Sequence, residues 1–333
     1  MVGQAVAFPA SGERGTWQYH RRTMAGPERR RLTLSRRRAG MATLAATAAA
    51  AALLAGCSGG SPKASTGNSG GTTGTTKPLT AAGLDWVVTR QALADIAASP
   101  SALGVLEQGH IYEIVRPGHK PYPGVNAIVT ADFKSFSSPN GMAASVAAGD
   151  LPAGTGALLY DPESWSFTPP AEQHDLGHYV SMAVSLAHQH GWQLIVTPGV
   201  DLTKVLDPSV AASNGRYQAF LSSGLDQAVA SADVVDVQAQ SDERVSANYA
   251  SFVKAAADQL HKANPKVVVI SGLSSNPPIG VVTSQELADA MAVVAGFVQG
   301  YWMNIPNGPN PSCPGCGQPQ PQVAIGALTT AFP

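Results

Sequence analysis

Gly156-Ala157-Leu158-Leu159-Tyr160-Asp161 is followed by Pro169-Pro170, by a helical stretch to His190 and Gly191, and then by Trp192-Gln193-Leu194-Ile195-Val196-Thr197 with Pro198-Gly199 behind it. Both apolar runs are continuous rather than alternating, as expected of strands covered on both faces. Proline opening the intervening segment and glycine just past its end punctuate a helix. Two strands joined through a helix run parallel, because the connection is too long for a hairpin and returns the chain to the same edge.

The same alternation extends in both directions. Toward the N-terminus lie Asp85-Trp86-Val87-Val88-Thr89, a helical stretch over Gln91–Gly109, His110–Val115, Asn126–Phe133 and a short helix over Gly141–Gly149. Toward the C-terminus lie a helix over Arg216–Ser231, the run Val234–Gln240 and a helix over Arg244–Ala263. Lys266–Ser271, a helix over Thr283–Val298 capped by Thr283 with Glu286 in its first turn, and Gly300–Ile305 complete the series. Eight strands with helices between most of them predict an α/β fold, a closed (β/α)8 TIM-type barrel over 81–306. An open doubly wound parallel sheet is the alternative. It is weakened because no Gly-x-Gly-x-x-Gly follows the first strand, and no cofactor is predicted.

Ahead of the barrel the composition changes. Arginine clusters at 29–31 and 36–38 precede a 14-residue, alanine-rich run from Met41 to Leu54, too short to span a bilayer that needs about 20 helical residues. Leu54-Ala55-Gly56-Cys57 ends this run and resembles a bacterial lipoprotein signal, with Met1 or Met24 as the start. That resemblance implies a signal peptide over 1–56, cleavage before Cys57 and lipid on its sulfur. The protein would then be anchored to the cell membrane on the extracytoplasmic side; an ordinary apolar helix is the alternative. Residues 57–80, rich in Ser, Gly and Thr, form a flexible spacer, reaching roughly 25 Å as a coil. Removal of 1–56 takes 9 of 21 basic and 2 of 22 acidic side chains and leaves a net charge of −8, which argues against nucleic acid as a partner.

After the barrel, 307–333 reads as a Pro/Gly-rich tail. Cys313-Pro314-Gly315-Cys316 lacks the helix that would activate a redox pair and the further ligands a zinc site needs, so it reads as a small disulfide.

Barrel chemistry belongs at the C-terminal ends of the strands. The sharpest candidates there are Asp161 and Glu163, two residues apart and so on one side of an extended chain, with Pro162 between them where the ladder ends. Two carboxyls sharing a water-poor cleft cannot both ionise cheaply, so one stays protonated near neutral pH and serves as an acid. That is the chemistry of glycosidic bond cleavage. The alternative is a pair of solvated loop carboxylates. Asp132, Gln238, Gln240, Asn304, Trp165 and Trp302, all near strand ends, are the candidate substrate-binding residues, the tryptophans as platforms for sugar rings.

Gly156–Glu163 is similar to the fourth-strand signature of family-18 glycoside hydrolases, the chitinase type, which runs Asp-x-x-Asp-x-Asp-x-Glu. Only the last two acids are present, as Asp161 and Glu163; Gly156 and Leu159 stand at the earlier acidic positions. The resemblance implies Glu163 as general acid and Asp161 as the carboxylate that orients a substrate N-acetyl group, with Trp302 under the scissile sugar. Gln238-Ala239-Gln240 replaces the family's Met-x-Tyr-Asp. A non-catalytic carbohydrate- or cell-wall-binding lipoprotein is therefore the competing reading. A third reading, a metal-dependent hydrolase, would use Glu172, His174, Asp175 and His178. A histidine-rich solvated helix face explains the same residues, so no metal site is assigned.

Overall fold

The protein is described by a computed structural model covering residues 79–132, 137–206, 208–209, 215–278, 280–308 and 315–333. The segment expected as a signal, Cys57, most of the expected spacer and Cys313 lie outside the described residues.

Eight parallel strands close into a barrel in sequential order, with β8 pairing β1. They are β1 (Asp85–Thr89), β2 (His110–Val115), β3 (Ala127–Ala131), β4 (Thr155–Tyr160), β5 (Gln193–Val196), β6 (Val234–Val237), β7 (Val268–Ser274) and β8 (Gly300–Asn304). The closed barrel, not the open sheet, is the architecture.

Helices follow most strands: α1 (Arg90–Ile96) and α2 (Pro100–Leu106) after β1, α3 (Pro139–Ala148) after β3, α4 (Pro170–His174) and α5 (Leu176–Gln189) after β4. Then come α6 (Thr203–Leu206), α7 (Arg216–Ser223) and α8 (Leu225–Val229), α9 (Ser246–Ala263), α10 (Ser284–Val294) and α11 (Pro321–Ala331). Between β2 and β3 runs a loop, held because both Glu113 carboxylate oxygens accept from Tyr122 N at 2.7 and 3.0 Å.

Three stretches expected as single helices are broken. The first splits where Ser99-Pro100 starts a new helix with its own cap. The second splits at Asp175, whose φ of −133° leaves the helical region. The third splits at Gly224, left-handed at φ 76° and free of the Cβ penalty. The expected capping box at Thr283 and Glu286 is present.

The segment expected as a tail carries the helix that follows β8. α11 packs on α10 and α2, buries Ala324, Ala327, Leu328 and Ala331, and sets Phe332 edge-on to Trp86 at 5.7 Å between centroids. Cys316 is buried and disulfide-bonded.

Two cores result. The larger fills the space between strands and helices. The smaller fills the barrel itself: Val87, Tyr112, Ile114, Ala157, Leu159, Ile195, Val234 and Ile270 interdigitate, with Trp302 packed on them. Each such side chain, fully buried, contributes about 1.5–3 kcal/mol. Among the described residues no helix is long and apolar enough to cross a membrane.

Candidate active site

The barrel filling decides what reaches the mouth. Side chains alternate along a strand, so the inward residue above Leu159 is Asp161, the one above Val234 is Asp236, and those above Gly300 are Trp302 and Asn304. A cavity of about 370 Å³ opens at this C-terminal end. From the loop after β4 it is lined by Asp161 and Glu163, from β6 and its loop by Asp236, Gln238, Gln240 and Ser241, from β7 and its loop by Ser274 and Pro278, and from β8 by Trp302 and Asn304.

Glu163 is set by the loop after β4. Its backbone N–H donates to Thr168 Oγ1 at 3.2 Å, and Gly199 N donates to Pro162 O at 2.8 Å, clamping this loop to the end of β5. A Cβ on Gly199 would lie 2.9 Å from Glu163 Cγ and 2.7 Å from Asp201 Oδ1, so the clamp requires glycine. Asp161 accepts from Thr197 Oγ1 at 2.7 Å and, weakly, from Gln238 Nε2 at 3.5 Å; that amide also donates to Thr197 O at 2.8 Å.

The loop after β6 is equally fixed. Glu243, itself buried, accepts from Ser241 N at 2.6 Å and Ser274 N at 2.9 Å, tying the loop to β7. Ser241 holds φ 102°, the only left-handed non-glycine among the described residues, and it lines the cavity. Backbone strain of this kind costs on the order of 1–3 kcal/mol and collects at functional sites. Gly272 leaves room for Gln240, whose side-chain amide would collide with the Cβ that any other residue would carry there.

Electrostatics follow from burial without countercharge. Desolvation, then the nearby Asp201 charge, raises the Glu163 carboxyl to about 7, with the Gln238 amide opposing. Desolvation raises Asp161 well above the usual carboxylate range; Glu163, Asp132 and Asp236 add repulsion, and the Thr197 hydrogen bond opposes. Desolvation alone holds Asp236 high; it is fully buried and neither oxygen has a partner. Desolvation brings Asp132 to about 6.

Of the residues singled out in the sequence, Asp161, Glu163, Gln238, Gln240, Trp302 and Asn304 meet in the one cavity. Asp132 does not line it and acts on Asp161 through its charge alone. Trp165 is also outside it: its indole N–H donates to Thr168 Oγ1 at 2.8 Å and its ring meets Phe167 edge-on, so it braces the Glu163 loop. His174 and His178 are exposed and fall on α4 and α5, either side of the break at Asp175. Glu172 is buried and accepts from Ser138 Oγ and Tyr160 OH, a structural role. No group of His, Cys, Asp and Glu suited to a metal ion occurs among the described residues.

Sequence reading missed Asp236, Ser241 and Glu243. For Asp236 the signal was available: the two-residue period that selects Gln238 and Gln240 also selects it. Ser241 and Glu243 sit in a loop, where only backbone geometry reveals their part.

No protein-family model matches the chain, and no curated protein does. Solved structures share its trace. A chitinase from Chromobacterium violaceum is 12% identical, with 74% of this chain and 99% of that one covered and a TM-score of 0.42. Active domain 2 of a chitinase from Pyrococcus furiosus is 10% identical, with 72% and 79% covered and a TM-score of 0.38. Rhizobium etli pyruvate carboxylase is 9% identical, with 70% and 21% covered and a TM-score of 0.32. These likenesses are of fold alone.

Proposed function

We propose that this chain is a carbohydrate-acting hydrolase of the extracytoplasmic face, anchored by lipid on Cys57, with Glu163 as proton donor and Asp161 as the orienting carboxyl beside it. The observation that carries the reading is a single one: Asp161 and Glu163 line the same cavity at the barrel mouth, with the Glu163 carboxyl raised to about 7. A carboxyl in that range holds a proton at neutral pH and can give it up within a catalytic cycle.

The step balances as follows. Protonated Glu163 donates to the glycosidic oxygen, the bond from that oxygen to the anomeric carbon breaks, and positive charge spreads over the sugar ring. Once Glu163 has given up its proton the two carboxyls share the one that Asp161 holds, so a single negative charge spread over the pair faces the cationic ring and stabilises the transition state more than the ground state. Water adds to the anomeric carbon and returns a proton to Glu163. Trp302, half-buried at the mouth, supplies an apolar face for a ring, and the amides of Gln238, Gln240 and Asn304 supply hydrogen bonds.

The second reading, carbohydrate binding without turnover, is favoured by those same amides lining the cavity. Reducing-end release from a glycan panel separates the two. The natural protein releases reducing ends and Glu163→Gln does not; glycan binding with no release by either protein overturns hydrolysis. Anchoring is tested apart from chemistry. Cys57→Ala moves the protein from the membrane fraction to the soluble one, and an unchanged distribution overturns the anchor.

A further inference from the structure

The carboxyls of the mouth have no countercharge. Asp161, Glu163 and Asp236 line one cavity, and among the described residues no lysine, arginine or histidine lines it. Asp236 lies at the cavity floor, with 0% exposure and both oxygens unpartnered. A buried, unsatisfied carboxyl is costly, and natural proteins rarely leave one without use. The remaining lining is three amides, two serine hydroxyls, one indole and Pro278, a mix of polar groups and apolar faces that suits a polyhydroxylated ligand.

We infer that the cavity recognises a saccharide carrying a free, protonated amine, and that Asp236 is the carboxylate that receives the ammonium. A sugar hydroxyl would satisfy the hydrogen-bonding capacity of Asp236 and leave the clustered acids repelling one another. An ammonium does both: it donates up to three hydrogen bonds and neutralises the cluster. An anionic sugar such as a uronic acid would add a fourth carboxylate and is disfavoured. The titratable groups facing Asp236 are Asp161 and Glu163 from the end of β4 and Tyr249 from α9. Asp201 after β5 and Glu243 after β6 stand behind them. None of these is cationic. Asp236 therefore gives up its proton when the ammonium arrives, and binding releases a proton to solvent.

The inference deepens the proposed function, since it names the substrate class of the same cavity, but its test reads binding and not turnover. Glucosamine oligosaccharides, fully deacetylated or fully N-acetylated and of one length, are titrated calorimetrically into Glu163→Gln in buffers of differing ionisation enthalpy. The deacetylated ligand binds about tenfold or more tighter and releases protons, whereas the acetylated one releases none. Asp236→Asn abolishes both the preference and the release. Asp236→Leu, which removes the buried carboxyl and so retains the fold, does the same.

Equal affinity for the two ligands, tighter binding of the acetylated one, or a preference that survives both substitutions overturns the assignment. So does a preference that appears only with a divalent cation and vanishes in chelator. Failure here together with cleavage of some other glycan leaves the hydrolase reading standing. Amine-selective binding without cleavage by the natural protein leaves this assignment standing and removes the hydrolase.

Discussion

The two ends of the barrel handle their acids in opposite ways. At the N-terminal end, Asp85 meets His110 Nδ1 at 2.9 Å, while Asp233 accepts from Leu194 N at 2.8 Å and meets His188 Nε2 at 2.9 Å. Gln299 Oε1 there accepts from Val269 N at 2.8 Å, and Tyr112 OH donates to Gln193 Oε1 at 3.0 Å. These side chains are matched to backbone or histidine, and their yield is stability. At the C-terminal end Asp236 is matched to nothing, and Asp161 faces further acids. Polar groups left in conflict by a well-packed scaffold mark the place where a ligand completes the structure. The contrast follows the division of labour in this fold, with stability at one face and chemistry at the other.

The hardest test of that division removes the acid itself. Glu163→Gln keeps the shape and a hydrogen-bonding terminus but cannot deliver a proton. It lowers kcat on any cleaved glycan by about 10²–10⁴, the usual contribution of general acid catalysis, with little change in thermal midpoint. On the proposed chemistry, the natural protein loses kcat/KM as pH rises through about 7, where Glu163 ionises. A rate that stays flat across that range would put the proton donor elsewhere. The next largest effect comes from the clamp beneath Glu163. In Gly199→Ala the new methyl meets Glu163 Cγ and Asp201 Oδ1 inside van der Waals contact, so the loop must shift. Activity falls by about tenfold and stability by about 1–3 kcal/mol. Unaltered activity would show that the position of the loop is not critical.

At the opposite end the effects reverse. Asp233→Ala leaves Leu194 N without its acceptor at the start of β5 and removes the His188 partner. It costs about 1–3 kcal/mol, read as a lower denaturation midpoint, while kcat and KM stay as they were. A loss of turnover out of proportion to unfolding would break the separation of the two faces.

How far this division could be read from the chain depends on periodicity. The strands were legible because parallel barrel strands are continuous apolar runs; β1 and β2 lie where the residues placed them. Asp161 and Glu163 were legible through the two-residue period beyond the end of β4. Asp236 obeys the same period but sits within Val234-Val235-Asp236-Val237, where the apolar neighbours disguise it as strand filling. Helix breaks were hidden where the cause is a single dihedral, as at Asp175. The helix after β8, α11, was hidden by composition. Pro321 is a regular helix opener, and Ala324, Ala327, Leu328 and Ala331 keep a helical spacing, but small residues in a proline-rich setting resemble a linker. Trp165 illustrates the converse: residue type suggested a sugar platform, whereas its indole N–H is committed to Thr168.

The smallest effect sharpens the comparison most, because its sign differs from ordinary mutational damage. Carboxyls raised by burial bind protons more tightly in the folded chain than in the unfolded one. Burial raises Glu163, Glu243 and Asp226 to about 7 and Asp132 to about 6, and holds Asp161 and Asp236 well above the usual carboxylate range, against roughly 4 when unfolded. Between those limits the folded state holds the extra protons, so stability is fully present below about pH 4 as far as these groups decide it, and falls as pH rises toward 7. Asp236→Leu removes one of them and the unsatisfied oxygens with it. The variant gains about 1–2 kcal/mol at neutral pH, roughly 2–6 °C in midpoint, and its advantage over the natural protein shrinks as pH falls toward 5. Thermal melts across pH 5–8 read both quantities. A variant less stable than the natural protein at every pH would mean that Asp236 has a partner within the fold, and the mouth would then resemble the other end of the barrel.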